Sequence, residues 1–220
     1  RHGTVGNARR GSTVRAVSDT SGTTATEPGT APASFAQRLA ARWWWVVVAS
    51  PVLIAAVVLI WKPWAPTLDM AMTELRVRDV GGRHTPLTGL PGRIGRFPDQ
   101  GNHPGPWSFY LVAPFWWLSG RRAWGLELGS AAINAIALGV AVWLGHRLGR
   151  RRGAIAIAAV CAVAVRGYGL SVLTHPWNPY FPVLIWLVVL LATWLVVRGD
   201  HAMLVVVVAG STVASQTHIP

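Results

Sequence analysis

Long apolar runs with few or no charges alternate with polar connections along this chain, and the length of each run predicts a membrane-spanning helix. The five runs cover residues 43–61, 123–145, 153–173, 180–197 and 201–217. The clearest, 43–61, would extend about 28 Å as an α-helix, which is enough to cross a typical hydrocarbon core. We therefore predict an all-α integral membrane protein, with about five transmembrane helices in a membrane domain over residues 43–220.

A further apolar segment, residues 107–118, is too short to cross. It would reach only about 18 Å as a helix. Its tryptophan and tyrosine side chains have amphipathic rings that favour the membrane interface. We predict an interfacial helix within a long first outer loop, residues 62–122. A crossing at 107–118 would reverse the side of every later connection, and the arginine distribution disfavours it.

Basic residues set the predicted orientation, because Lys and Arg in short connections are retained in the cytoplasm. The strongest cluster is Arg147 with the arginine run 150–152. With this cluster inside, loop 62–122 lies outside, and the chain is a multi-pass plasma-membrane protein. Residues 1–42 are rich in small and polar side chains with scattered arginines, so we predict a disordered basic cytoplasmic tail.

The composition changes this picture little. Hydrophobic residues make up 52% of the chain and charged residues 13%, yet the formal net charge is +12. The arginines lie mainly beside the apolar runs, so topology explains the excess and no nucleic-acid partner is expected. Cys161 is the single cysteine and lies in an apolar run, which excludes an intrachain disulfide and a thiolate metal cluster.

The outer loop concentrates the acidic side chains, and Asp69 is its most informative member. Thr67 is a candidate N-cap for a helix through about Val80, with Asp69 in the first turn. An ionised aspartate there suits a general base or a cation ligand, but it equally suits a helix-capping role. Glu74 and Arg78 form an i, i+4 pair.

Two His-Pro sequences are predicted to lie on the same outer side as Asp69. His103 opens His-Pro-Gly-Pro before the interfacial segment, and His175 lies in Thr-His-Pro-Trp-Asn-Pro-Tyr. Such histidines could bind a phosphate, a metal or a sugar hydroxyl, or act only as turn residues. Arg166, at the outer end of a span, could pair with a lipid phosphate or extend to the interface without a specific partner.

Four features follow one another along the chain. They are a span, an outer loop opening with LDMAMTEL (68–75), the His-Pro-Gly-Pro entry to an amphipathic helix, and a span followed by an arginine-rich turn. This order resembles the N-terminal part of GT-C superfamily glycosyltransferases, in the protein-mannosyltransferase and aminoarabinose-transferase-like branch of actinobacterial membrane proteins. The resemblance covers about residues 43–220. Family members have more spans, so it implies an N-terminal fragment.

The resemblance implies a function and a catalytic residue. It implies that sugar is transferred on the outer face from a polyprenyl-phosphate donor, with Asp69 as catalytic base. To this we add Glu74, His103, Arg166 and His175 as predicted substrate-binding residues. The expected partners are membrane lipid and the lipid-linked donor. The sequence requires no cofactor and supplies no metal site. It leaves open whether a divalent cation takes part. The alternative is a non-catalytic membrane protein: a transporter piece, an assembly subunit or a degenerate fragment.

Overall fold

The computed structural model describes residues 43–61, 64–92, 95–96 and 99–218, which belong to one compact unit. The predicted tail, 1–42, lies outside the described residues. The helices are α1 Trp43–Leu59, α2 Asp69–Asp79, α3 Trp107–Leu118, α4 Trp124–Tyr168, α5 Leu170–Thr174, α6 Val183–Val197, a 3₁₀ turn His201–Met203 and α7 Leu204–Thr217. Every regular element in the described part is helical, which confirms the all-α class.

The five apolar runs fall in four helices, and among the described residues one of these helices meets the requirements for crossing a membrane. That helix is α4, by its length and apolar composition. The shorter apolar helices α1, α6 and α7 fall below the length criterion, so the five-span arrangement stays a prediction. The short aromatic segment 107–118 is helical over the expected residues, as α3, and it continues through Pro114.

Helix α4 turns back on itself. Its helical run is broken at Gly149 (φ −146°, ψ 25°) and Arg150 (φ 51°, ψ −137°). The stretches on either side lie against each other, because a Cβ on Gly153 would clash with the Gly145 carbonyl oxygen. The return continues to the far end, where Asn134 Nδ2–H donates to the Leu173 carbonyl (2.7 Å). The two predicted spans 123–145 and 153–173 thus form an antiparallel helical hairpin.

The turn of α4 meets the connection between α6 and α7 at one end of the bundle. Arg147 Nη2 and Asp200 Oδ2 form an ion pair at 2.9 Å, and Arg198 Nη1–H donates to the Leu148 carbonyl at 3.4 Å. Helix α6 has 15 residues, so the loop before it lies about 22 Å away at the opposite end. The arginine turn and Arg198 therefore share one end, hereafter the arginine end.

The interior of the bundle is packed with small and branched apolar side chains from α1, α4, α6 and α7. The outward faces of these helices are apolar as well. Exposed examples are Ile54 on α1, Val163 on α4, Leu190 on α6 and Val205 on α7. Helices that are hydrophobic on all sides are typical of a membrane environment, because water would otherwise contact these outer faces.

Helices α2 and α3 pack together at the end opposite the arginine end. Val77 of α2 joins Phe109, Val112 and Trp116 of α3 in a cluster of buried apolar residues. Leu68, at the start of α2, and Met72 and Leu75 within it form a second apolar face, which is exposed.

The close approach within the α4 hairpin generates a stability prediction. Gly153→Val should push the two stretches apart, and overpacking of this kind costs typically 1–3 kcal/mol. We expect a lower unfolding temperature in detergent, followed by circular dichroism. Gly149→Ala is the matched control, because a Cβ there meets nothing within 4 Å. Equal effects of the two substitutions would contradict the packed hairpin.

Candidate functional site

Asp69 is the first residue of α2, and a sharp backbone turn precedes it. Leu68, at the N-cap, has φ 51° and makes no side-chain cap, so the predicted cap at Thr67 is wrong. A non-glycine residue in the left-handed region costs on the order of 1–3 kcal/mol and persists only where the surroundings fix it. The Trp177 Nε1–H donates to Asp69 Oδ2 at 3.1 Å and fixes the carboxylate from a loop 108 residues away.

His103 is held by backbone hydrogen bonds on both sides of its Cα atom. Its N–H donates to the Leu90 carbonyl, and the Gly89 N–H donates to the His103 carbonyl, each at 2.9 Å. Gly89 is required for this approach, because a Cβ there would lie 2.7 Å from the Cβ of His103. The loop 89–92 thus pairs with 101–103 and gives His103 one defined position.

The end of α7 also contacts the His-Pro-Gly-Pro segment. The Gly105 N–H donates to the Gln216 carbonyl at 3.2 Å. A Cβ on Gly105 would fall on the Gln216 side chain, so a larger residue at this position would displace the end of α7. The helix terminus therefore sits directly beside His103.

Asn178 connects His103 to a histidine at the end of α7. Its Nδ2 lies 2.9 Å from His103 Nε2 and 3.4 Å from His218 Nδ1, and the centroids of the two imidazole rings are 5.1 Å apart. When the amide donates to Nε2, His103 is neutral and carries its proton on Nδ1. The buried amide therefore favours the uncharged imidazole.

Electrostatics favour the same protonation state. Burial lowers the pKa of His103 below its usual value near 6.5, the neighbouring His218 lowers it further, and Asp69 acts in the opposite direction. Burial alone lowers the pKa of His175. Both imidazoles are therefore neutral at pH 7, and each can donate one hydrogen bond and accept one.

Aromatic rings surround His175. Its ring centroid lies 6.5 Å from Trp64 and 6.0 Å from Tyr180, both edge-on, and Trp177 packs against Tyr180 at 4.8 Å. The buried Nδ1 of His175 has no hydrogen-bond partner among the described residues. This loop, 175–180, supplies the Asp69 contact, the amide at 178 and His175 itself.

Two of the predicted site residues are not joined to this group. Glu74 is buried and forms an ion pair with Arg78 at 2.7 Å, on a different face of α2 from Asp69. Arg166 is exposed near the end of α4, and none of its described contacts reaches Asp69 or the histidines. Their substrate-binding roles stay predictions.

Three members of the group were not proposed as site residues from the sequence. They are Trp177, Asn178 and His218. The proline-flanked motif 174–180 drew attention to its histidine, but no local periodicity indicates that Trp177 meets a residue 108 positions earlier. Such contacts follow only from the path of the intervening helices.

The described residues contain no group of three or more histidine, cysteine, aspartate or glutamate side chains that could hold a metal ion. What the arrangement does offer is a carboxylate that accepts a hydrogen bond from Trp177, near neutral imidazoles and an amide at the end of an apolar bundle. A carboxylate can accept a proton from a hydroxyl group, and a neutral imidazole N–H can donate to an oxyanion.

Comparison with protein-family models, with curated proteins and with solved structures found no match to this chain.

The lowered pKa of His103 predicts a pH dependence of stability. Because the folded state disfavours the imidazolium, the contribution is present above about pH 6.5 and is lost as the pH falls through the lowered folded-state pKa. The unfolding temperature should therefore fall more between pH 7.5 and 5 in the wild type than in His103→Gln, as measured by thermal scans in detergent.

His84→Gln is the control for this experiment, since His84 is an exposed histidine of the same loop. It should retain the wild-type pH profile. An unchanged profile in His103→Gln would contradict the burial of a neutral imidazole at this position.

Proposed function

We propose that this chain is a GT-C-like membrane glycosyltransferase that moves a sugar from a polyprenyl-phosphate donor to an acceptor hydroxyl on the outer face of the plasma membrane, with Asp69 as general base. The single observation that carries the proposal is the meeting of Asp69, the His103 loop, loop 175–180 and the end of α7 at one end of the bundle. The arginine turn lies at the other end.

The membrane part of the proposal is supported by the surface and by the charges. Apolar side chains cover the outward faces of the bundle, and an apolar exterior is stable in lipid. The arginine end is then cytoplasmic, because basic connections are retained there. Asp69 and both histidines consequently face outward in a five-span protein.

The proposed reaction needs one proton acceptor and one group to stabilise the leaving phosphate. Asp69 removes the proton of the acceptor hydroxyl while its oxygen attacks the anomeric carbon. The bond between that carbon and the phosphate oxygen breaks, and the polyprenyl phosphate leaves with the electron pair from the face opposite the attack. Inversion at the anomeric carbon follows from this in-line geometry.

The contacts of Asp69 suit this role. The Trp177 indole N–H donates to Oδ2 and fixes the position of the carboxylate at this end of the bundle. The neutral imidazoles of His103 and His175 are proposed to donate hydrogen bonds to the donor phosphate. Arg166 lies in the last turn of α4. It is proposed to approach that phosphate from the lipid side.

Asp69→Asn should abolish transfer, since a general base contributes typically 10²–10⁴-fold to the rate. The assay is release of polyprenyl phosphate from a radiolabelled polyprenyl-phosphate sugar in membranes that express the gene. Trp177→Phe keeps an aromatic ring next to Tyr180 but removes the hydrogen bond to Asp69, and it should slow transfer by about tenfold.

Asp79→Asn is the matched control, because it removes a carboxylate at the other end of the same helix. It should leave transfer unchanged. Undiminished transfer by Asp69→Asn, with normal expression, would overturn the assignment of Asp69 as general base.

The proposed orientation predicts which positions react with impermeant thiol reagents. In a Cys161→Ala background, a cysteine at Asp99 should be labelled in intact cells, whereas one at Arg151 should be labelled only after permeabilisation. The reason is that Asp99 belongs to the loop of His103 and Arg151 to the arginine end. Labelling of position 151 in intact cells would overturn the assignment.

A further inference from the structure

A pocket with basic and aromatic walls lies between the C-terminal ends of α2 and α3. Its volume is about 570 Å³, and it is lined by Arg78, Gly81, Gly82, Trp116, Trp117 and Arg121. Asp69 lies at the opposite end of α2, about 15 Å along the helix axis. The pocket is therefore separate from the group around Asp69 and His103.

Two guanidinium groups reach this pocket with donors to spare. Arg78 uses Nη2 to pair with Glu74, and 53% of its side chain is exposed. Arg121 lies in a tight turn with φ 64° after α3. Its backbone N–H donates to the Trp116 carbonyl, and its side chain forms no hydrogen bond or ion pair with another described residue. Each guanidinium can still donate two parallel hydrogen bonds to one anion.

The remaining walls are suited to a small anionic group. Trp116 is 5% exposed, and its indole N–H has no acceptor among the described residues. Gly81, at φ 80°, leaves space opposite Trp117, where a Cβ would come within 3.9 Å of the indole. The backbone at Gly81 thus leaves space beside the Trp117 indole.

The C-terminal ends of α2 and α3 lie close to the pocket, and their partial negative charges disfavour an anion there. Each helix end carries about half a negative charge, which together offset about one arginine. Between residues 74 and 84 and at 121–122 there are five arginines and two carboxylates. The excess of three positive charges exceeds the contribution of the two helix ends, and the local field favours an anion.

Exposed apolar side chains neighbour the lining residues along the chain. Leu118 is 83% exposed beside Trp117, and Leu75, one turn before Arg78, is also exposed. An anion that brings its own apolar chains would cover these side chains, whereas a soluble anion would leave them in water. This arrangement matches the head group of a lipid at a membrane surface.

We infer that this pocket binds a phosphate group, through Arg78 and Arg121, and that the phosphate belongs to an anionic phospholipid such as phosphatidylglycerol. Trp117 and Leu118 contact the acyl region beside the head group. The site anchors α2 and α3 at the membrane surface, and its occupancy does not depend on the sugar-transfer reaction.

The test measures lipid binding to the purified full chain in detergent by native mass spectrometry. The wild type should retain phosphatidylglycerol in preference to phosphatidylcholine. Arg78→Gln with Arg121→Gln should weaken binding of phosphatidylglycerol about tenfold, because two charge-assisted contacts are lost. Arg83→Gln with Arg122→Gln removes the same charge outside the pocket and should retain most of the preference.

A second arm separates the two sources of phosphate. Calorimetric titration with inorganic phosphate should give weaker binding than the lipid arm, and the pocket variant should abolish it. Strong phosphate binding with no preference for phosphatidylglycerol would assign the site to a soluble phosphate compound and overturn the lipid assignment. Equal losses in the pocket and control pairs, or no loss in either, would overturn the site itself.

Arg78→Lys with Arg121→Lys keeps the charge and loses the forked geometry, so it should bind phosphatidylglycerol with intermediate affinity. If circular dichroism shows that the glutamine pair does not fold, the lysine pair is used to test the site. Transfer activity of the gene product is a separate readout, since neither arginine contacts Asp69 or the histidines in the described structure.

Discussion

The reversal of α4 at Gly149 and Arg150 is the constraint on which the rest of the arrangement depends. Because Gly145 and Gly153 lack side chains, the two helical stretches approach closely enough for backbone atoms to meet. The chain that leaves α3 at one end of the bundle therefore returns to that same end at Leu173. Without this return, loop 175–180 would not reach Asp69 or His103. The site is thus a consequence of helix packing far from it.

Burial determines the protonation state of the two histidines in this group. Burial keeps the pKa of His103 and of His175 below the usual value, so both imidazoles are neutral at pH 7. Asp69 accepts a hydrogen bond from Trp177, whereas Glu74 forms an ion pair with Arg78. The two carboxylates of one short helix are therefore held by different parts of the structure.

The sequence predictions succeeded where the signal is local. Apolar runs and their breaks predicted the helices, and the short aromatic segment appears as α3 over the expected residues. The cap at Thr67 was wrong because the chain enters α2 through a left-handed residue, Leu68, which no propensity favours. Trp177, Asn178 and His218 could not be selected, because their partners lie 40 to 108 residues away.

By itself the sequence determined the helical class, the apolar character of the bundle and the polarity of its connections. These follow from side-chain hydrophobicity and charge, which act position by position. Only the tertiary structure decided which polar residues meet. It joined Asp69 to Trp177 and His103 to His218 through Asn178, and it left Glu74 and Arg166 apart. The physical reason is that the turn in α4 and the close contact of its glycines fix the path of the chain, and that path brings distant loops together.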